Sequence, residues 1–220
     1  MKIVVSLPET DLLGDAMKFE PDLIELRIDL MEEDPKGSIG RVREETAIPL
    51  IGTLRSAREG GKFSGTDDAW QRKINDLLPF FDYIDVETRY RRYAPFIESA
   101  GTGIIASLHT TDMPSIGELR RIHQVLSEYG DIPKIAVQPR TEQDVVTLLS
   151  FTEEAGKPVI TSIMGDRFRH FRPLLPLFGS ELMFCHAGKP TSGGQYHIGE
   201  VRSLYRILLG GPGQGDSVRE

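Results

Sequence analysis

Leu23-Ile24-Glu25-Leu26-Arg27-Ile28-Asp29 alternates apolar and charged residues from Ile24 onward. A strand has a side-chain period of two, so Glu25, Arg27 and Asp29 share one face and Leu26 and Ile28 the other. Tyr83-Ile84-Asp85-Val86-Glu87 and Ile104-Ile105-Ala106-Ser107-Leu108-His109 repeat the arrangement. One such run could be an exposed edge. Several of them, interspersed with amphipathic helical stretches, predict apolar faces covered by helices and charged faces gathered around one interior pocket. Burying charge costs several kcal/mol unless partners compensate, and chemistry is the natural reason to tolerate it. The pattern is that of an enzyme.

The alternation of strand and helix runs the length of the chain. Strands are predicted near Lys2–Ser6, Leu23–Asp29, Pro49–Leu54, Tyr83–Glu87, Gly103–His109, Lys134–Gln138, Pro158–Ile163 and Glu181–Cys185. Between them Trp70, Ile74, Leu77, Leu78 and Phe81 form one helical face, and Ile116, Leu119, Ile122, Leu126 and Tyr129 another. Ser115-x-x-Glu118 and Thr141-x-x-Asp144 are capping sequences that start helices. A last helix spans roughly Gly199–Leu209. Eight β–α units predict a single-domain (β/α)8 TIM barrel over residues 1–209, with a flexible C-terminal tail at 210–220. A doubly wound open sheet is the alternative, but Ser6-Leu7-Pro8-Glu9-Thr10 lacks the glycine-rich first turn of that fold.

Composition narrows the class. The 220 residues are 39% hydrophobic and 27% charged, with a net charge of −7. That balance is globular and argues against nucleic acid or an anionic membrane as partner. No apolar run approaches the roughly 20 residues that span a bilayer. Met1–Ser6 enters a strand directly and lacks the features of a secretory signal. One cysteine, Cys185, excludes an internal disulfide and fits a reducing cytoplasm. It reads as a small residue of an apolar strand, not as a catalytic thiol.

In a barrel the chemistry sits at the C-terminal lip of the strands. Ser6, Arg27, Arg55, Glu87, His109 and Met164 lie at or just beyond the ends of successive runs and should converge. Arginines, carboxylates and an imidazole together suit a small anionic substrate. Lys134 opens its run, where a lysine is ordinarily exposed. It shares a face with Ala136 and Gln138, and an interior lysine beside arginines is pushed toward the neutral amine that imine formation needs. Spacing alone leaves both readings open. His109 ends a strand, as a general acid/base or a plain polar terminus, and His186 competes with it. Neither a zinc-ligand spacing nor a Gly-x-Ser-x-Gly elbow occurs, so no metal site is expected.

Taken in order, these segments resemble the type I 3-dehydroquinate dehydratases, Schiff-base lyases of the shikimate pathway. The resemblance is carried by Glu25–Asp29, Leu54-Arg55-Ser56-Ala57-Arg58-Glu59-Gly60-Gly61, Tyr83–Glu87 and Ser107-Leu108-His109. It continues in Pro133–Val137, Met164-Gly165, Phe178-Gly179-Ser180 and the segment ending at Gln195. It implies a (β/α)8 barrel, no metal or organic cofactor, and commonly a homodimer. Lys134 matches the Schiff-base lysine, His109 the general acid/base, and Glu59 the carboxylate paired with that histidine. Ser6, Glu25, Arg27, Arg55, Arg172, Thr191 and Gln195 match substrate-binding positions. The family's terminal loop usually reads Ser-Ala-Pro-Gly-Gln. Here Thr191-Ser192-Gly193-Gly194-Gln195 keeps the hydroxyl and the amide and loses the proline. Arg172 is chosen over Arg167 and Arg169 by counting back from Phe178-Gly179-Ser180.

The activity implied is dehydration of 3-dehydroquinate to 3-dehydroshikimate. Lys134 would form the imine, His109 would move both protons, and Glu59 would orient the imidazole and favour its charged form. The glycine-rich loop after the eighth strand is expected to act as a lid. Two rivals remain. A lysine-dependent class I aldolase shares the imine, but its phosphate loops should be richer in glycine than Gly165-Asp166-Arg167-Phe168. A non-catalytic barrel binding small anions would have no use for Lys134 and His109 together.

Overall fold

Eight runs with a polar and an apolar face can hide both faces at once by closing into a ring. The computed structural model describes residues 1–31 and 34–210. Its strands are β1 (Lys2–Leu7), β2 (Leu23–Arg27), β3 (Leu50–Thr53), β4 (Tyr83–Glu87), β5 (Gly103–Thr110), β6 (Ile132–Val137), β7 (Ile160–Ile163) and β8 (Leu182–Cys185). Each pairs in parallel with its chain neighbour from β1 to β7, and β8 returns to β1 with Val4 opposite Phe184. The β7–β8 seam has no ladder. It is spanned at the base, where Glu181 N–H donates to the Val159 carbonyl at 2.8 Å and Thr161 N–H to Ser180 Oγ at 3.0 Å. This nearly closed ring with helices between its strands is the predicted single-domain TIM barrel. The predicted tail, apart from Gly210, lies outside the described residues.

The inward face is graded. Val4, Leu23, Ile51, Ile105, Ile160 and Leu182 are buried together with Phe184 as an apolar floor, joined by Tyr83 and Ile132. Two residues further along, on the same face, stand Ser6, Glu25, Thr53, Asp85, Ser107, Lys134 and Ser162. Every floor residue but Leu182 is followed by a polar one; β8 places Phe184 there. The outward face, including Val5, Leu26, Ile84, Val86, Ala106, Ile135 and Val137, packs into the main core beneath the helices.

Those helices are α1 (Leu13–Met17), α2 (Lys36–Glu45), α3 (Asp67–Leu77), α4 (Ala94–Ser99), α5 (Ile116–Ser127), α6 (Glu142–Glu154) and α7 (Ile198–Leu209). Both predicted capping boxes form, at Ser115 with Glu118 and at Thr141 with Asp144. Trp70, Ile74 and Leu77 are the buried stripe of α3.

Most strand ends shift by one or two residues from the sequence reading, and three differences bear on the site. Strand β2 stops at Arg27, because Asp29 turns aside in a 3₁₀ turn to receive Arg27 and the N–H groups of Arg55 and Lys62. Strand β6 starts at Ile132, which supplies the floor position below Lys134. After β7 there is no α-helix. Arg169–Phe178 is 3₁₀, since Pro173 and Pro176 cannot donate backbone hydrogen bonds and obstruct an α-helical ladder.

Candidate active site

At the C-terminal mouth of the barrel lies a cavity of about 290 Å³. Its walls include Glu25, Arg27, Arg55, Glu59, His109, Lys134, Arg172, Thr191 and Gln195, so nine of the ten predicted site residues converge there, and the strand-end residue Met164 joins them. Ser6 is the exception. It is fully buried behind the wall, where its hydroxyl donates to Glu25 Oε2. Ser6 therefore positions a carboxylate and does not face the cavity.

Lys134 rises from β6 into the cavity. Its Nζ donates to Asp85 Oδ2 at 2.9 Å, lies 4.0 Å from Glu25 Oε1, and sits 4.1 Å from the centroid of the Phe184 ring. The sequence reading set this lysine among arginines; the structure sets carboxylates and an aromatic face against it. Glu25 is held by Ser6 and by Thr53 Oγ1 at 2.8 Å.

Arg55 ties the site together. One terminal nitrogen donates to Asp85 Oδ2 at 2.9 Å, and the other to Glu87 Oε1 and Ser107 Oγ, each at 3.2 Å. Burial works against a charged guanidinium here, but Asp85, Glu87 and Glu59 outweigh it and fix the charge. Asp85 is the reverse case: burial would raise its carboxyl, yet Arg55 and Lys134 hold it well below the usual carboxylate range. Glu87, predicted at the lip, is instead a buried strut that accepts from Arg55 and from Ser56 N–H.

Glu59 reaches His109 from the loop after β3. This loop folds back through a bridge between Ser56 and Phe63, and Gly61 passes so close that a Cβ there would lie 2.1 Å from the Arg55 carbonyl oxygen. Glu59 Oε2 receives the backbone N–H of His109 at 2.9 Å and lies 2.9 Å from its Nδ1. Arg55 approaches the same oxygen at 3.4 Å. An oxygen ringed by donors assigns the imidazole proton to Nδ1 and leaves the Nε2 lone pair free. Burial, with Arg55 and Lys134 nearby, pushes His109 well below its ordinary value, and burial raises Glu59 to about 8 against the pull of Arg55. The sequence reading expected Glu59 to favour the charged imidazole. Burial and the nearby cations act in the opposite direction and disfavour the charged imidazole.

Of the three candidate arginines, only Arg172 lines the cavity. Arg167 lies over the Phe168 ring and Arg169 over Tyr196. Arg172 is 4% exposed and has no carboxylate partner among the described residues; it donates to the Gly193 carbonyl at 3.3 Å. Burial lowers it to about 10. A buried cation without a counter-ion is a prepared site for an anion. Arg27, by contrast, is neutralised by two-point contact with Asp29 and donates to the Thr191 carbonyl at 3.3 Å. Thr191 N–H and Oγ1 both donate to Gln195 Oε1, at 2.7 and 3.2 Å.

His186, the competing histidine, does not line the cavity. Its Nδ1 accepts from Gly188 N–H at 3.1 Å and its ring packs on His197, which caps α7. Cys185 is buried and faces the outer core. Among the described residues no group of three or more His, Cys, Asp or Glu is arranged to hold a metal ion, and no helix is long and apolar enough to cross a membrane.

The sequence reading missed the work of Asp85 and the contact made by Phe184. The signal was available: both sit on the inward face, two residues above a floor residue.

A lysine amine, a free imidazole nitrogen and an unpaired guanidinium facing one cavity can hold an anionic carbonyl compound, form an imine and move a proton. Comparison with known proteins shows what the chain is similar to. The family model of type I 3-dehydroquinase matches residues 7–212. A 3-dehydroquinate dehydratase of Methanoregula boonei is 45% identical over 208 residues, spanning 94% of this chain and all of that protein. The 3-dehydroquinate dehydratase structure from Geobacillus kaustophilus superposes with a TM-score of 0.86 at 27% identity, covering 94% of this chain and 91% of that one. The type I enzyme of Clostridium difficile, described with covalently modified comenic acid, gives 0.83 at 28% identity, with the same coverage of each chain.

Proposed function

The chain belongs to the type I 3-dehydroquinase family, the 3-dehydroquinate dehydratases of the shikimate pathway, and from that premise we propose that it works through an imine on Lys134 with His109 as general acid and base. The Lys134 amine adds to the ring ketone and water leaves, giving an iminium that withdraws electrons from the adjacent carbon. His109 Nε2 takes the α-proton, and an enamine forms. The imidazolium then protonates the β-hydroxyl as it departs, and hydrolysis of the iminium returns Lys134 and releases 3-dehydroshikimate. Arg172 holds the substrate carboxylate, and Glu25, Arg55 and Gln195 hold its hydroxyls. The electron sink is the protein's own lysine, so these steps call for no metal or organic cofactor.

The observation that carries this reading is the convergence of Lys134, His109 and the unpaired Arg172 on one cavity. A relative described with covalently modified comenic acid is in keeping with it. The test is capture: borohydride added during turnover of 3-dehydroquinate should add the mass of the reduced ligand to the peptide containing Lys134. Turnover without any captured mass on that peptide would defeat the imine assignment. A class I aldolase would instead release two carbon fragments, which product analysis distinguishes.

Replacing Arg172 with alanine should lower kcat/KM about 10²-fold, the scale of losing one partner of a desolvated charge pair. Arg167→Ala and Arg169→Ala, away from the cavity, should change it less than about threefold, as expected of groups outside the site. A large loss at Arg169 with little at Arg172 would move the carboxylate site.

The loop from Gly188 to Gln195 supports a lid. Gly194 has φ +75°, and a Cβ there would lie 2.3 Å from the Gly165 carbonyl oxygen, so the loop seats closely against the β7 loop. Gly194→Ala should raise KM about tenfold, reflecting the roughly 1–2 kcal/mol that a left-handed conformation costs other residues. Hydrogen exchange across 188–195 should slow when ligand binds. Unchanged exchange with an unaltered KM would rule out closure on substrate.

A further inference from the structure

The steps above leave one buried charge against the reacting nitrogen without a task. Asp85 stands on β4 in the polar ring, with its side chain 1% exposed. Its Oδ2 receives Lys134 Nζ and Arg55, each at 2.9 Å, and its Oδ1 receives the Ser107 hydroxyl. Glu25, the other carboxylate near the amine, is 4.0 Å away and already occupied by Ser6 and Thr53.

We propose that Asp85 is a catalytic counter-ion, which stays against the Lys134 nitrogen through condensation and keeps the imine protonated. This rests on the imine reading above. The charge balance favours it. An ammonium and a ketone give a protonated imine and water, so one positive charge and one N–H remain on nitrogen. The two protons that the nitrogen gives up pass to the former ketone oxygen and leave with it as water. That remaining N–H keeps its acceptor in Asp85. The carboxylate does not itself take the proton, because Arg55 and Lys134 keep it in the anionic form. A protonated imine accepts the electrons of the broken C–H bond; a neutral one accepts them poorly. When the enamine forms, the nitrogen becomes neutral and Arg55, on the same oxygen, still balances Asp85. No step leaves a buried charge alone.

Asp85→Asn keeps the shape and removes the charge. The measurement is kcat, KM and the rate of cyanoborohydride capture on Lys134, from about pH 6 to about pH 9, bracketing the range in which general acid/base groups operate. KM should stay within about threefold, while the alkaline limb of kcat and of capture moves down by about 1–3 pH units, the effect of an opposite charge within ion-pair distance. A uniform loss at every pH would assign Asp85 a merely structural role and overturn the proposal. The unaltered protein gives an independent reading if the variant does not fold. Its capture rate should hold level across the same range, and a decline above neutrality would overturn the proposal. Capture that is absent from Lys134 at every pH would remove the imine reading itself; normal capture with an unmoved limb in Asp85→Asn removes only the role of Asp85.

Discussion

Lys134→Ala should lower kcat/KM by at least about 10⁴-fold, the scale seen when a covalent nucleophile is removed from a working constellation. Lys134 is the one lysine lining the cavity among the described residues, so no neighbour can take over the imine. Borohydride capture should disappear with activity. The fold should persist, because Asp85 keeps Arg55 and Ser107 as partners and Glu25 keeps Ser6 and Thr53. A loss of about 1–3 kcal/mol from the vacated buried pair would lower the thermal midpoint by only several degrees in a chain of this size. Binding can then be measured separately from chemistry. With Arg172 and the hydroxyl-binding groups intact, Lys134→Ala should still bind 3-dehydroquinate reversibly, seen as a ligand-induced rise in the melting temperature. Residual turnover within about 10²-fold of the parent would mean that the barrel lowers the barrier without a covalent intermediate.

The lysine was legible in the sequence only as one of two readings, and the reason is physical. A strand's alternation identifies which residues share a face, but not which face looks inward. In Tyr83–Glu87 and Leu23–Arg27 the charged face is the inner one, because the apolar face must be covered by helices. Lys134 belongs to this set, but the floor residue below it, Ile132, precedes a proline and fell outside the predicted strand, which began at Lys134. Local chemistry was read well where it is local: the capping boxes at Ser115 and Thr141 are both present. Long-range pairing was not. The partnership of Glu59 with His109 spans 50 positions and depends on a loop folding back at Gly61. It entered through family resemblance, not spacing. The hiding of Ser6 behind Glu25 and the 3₁₀ path that brings Arg172 to the mouth are likewise consequences of closure and of two prolines. Alternation carries no record of either.

Replacing His109 with alanine should lower kcat by at least about 10²-fold, the low end for a positioned general acid/base. Unlike loss of the lysine, it should leave capture on Lys134 in place, because condensation needs the amine more than the imidazole. The captured adduct should be that of unreacted substrate, since the α-proton can no longer leave efficiently. The pH profile of the parent protein supplies a second check. Burial, Arg55 and Lys134 push His109 well below its ordinary value near 6.5. The base is the neutral imidazole, which predominates above its pKa. A depressed pKa therefore carries activity down past pH 6.5, and the acid limb of kcat/KM should fall well below that point. That limb should vanish from the residual activity of His109→Ala. Glu59→Gln should be milder in kcat. Its amide can still face Nδ1, but it gives up a carboxylate oxygen that collects the His109 backbone N–H and Arg55 as well. Near-normal kcat in His109→Ala would pass the proton transfers to another group. His186 is not that group, since its Nδ1 is committed to Gly188 and its ring lies outside the cavity wall. Glu59, which lines the cavity beside His109, would then be the first group to test.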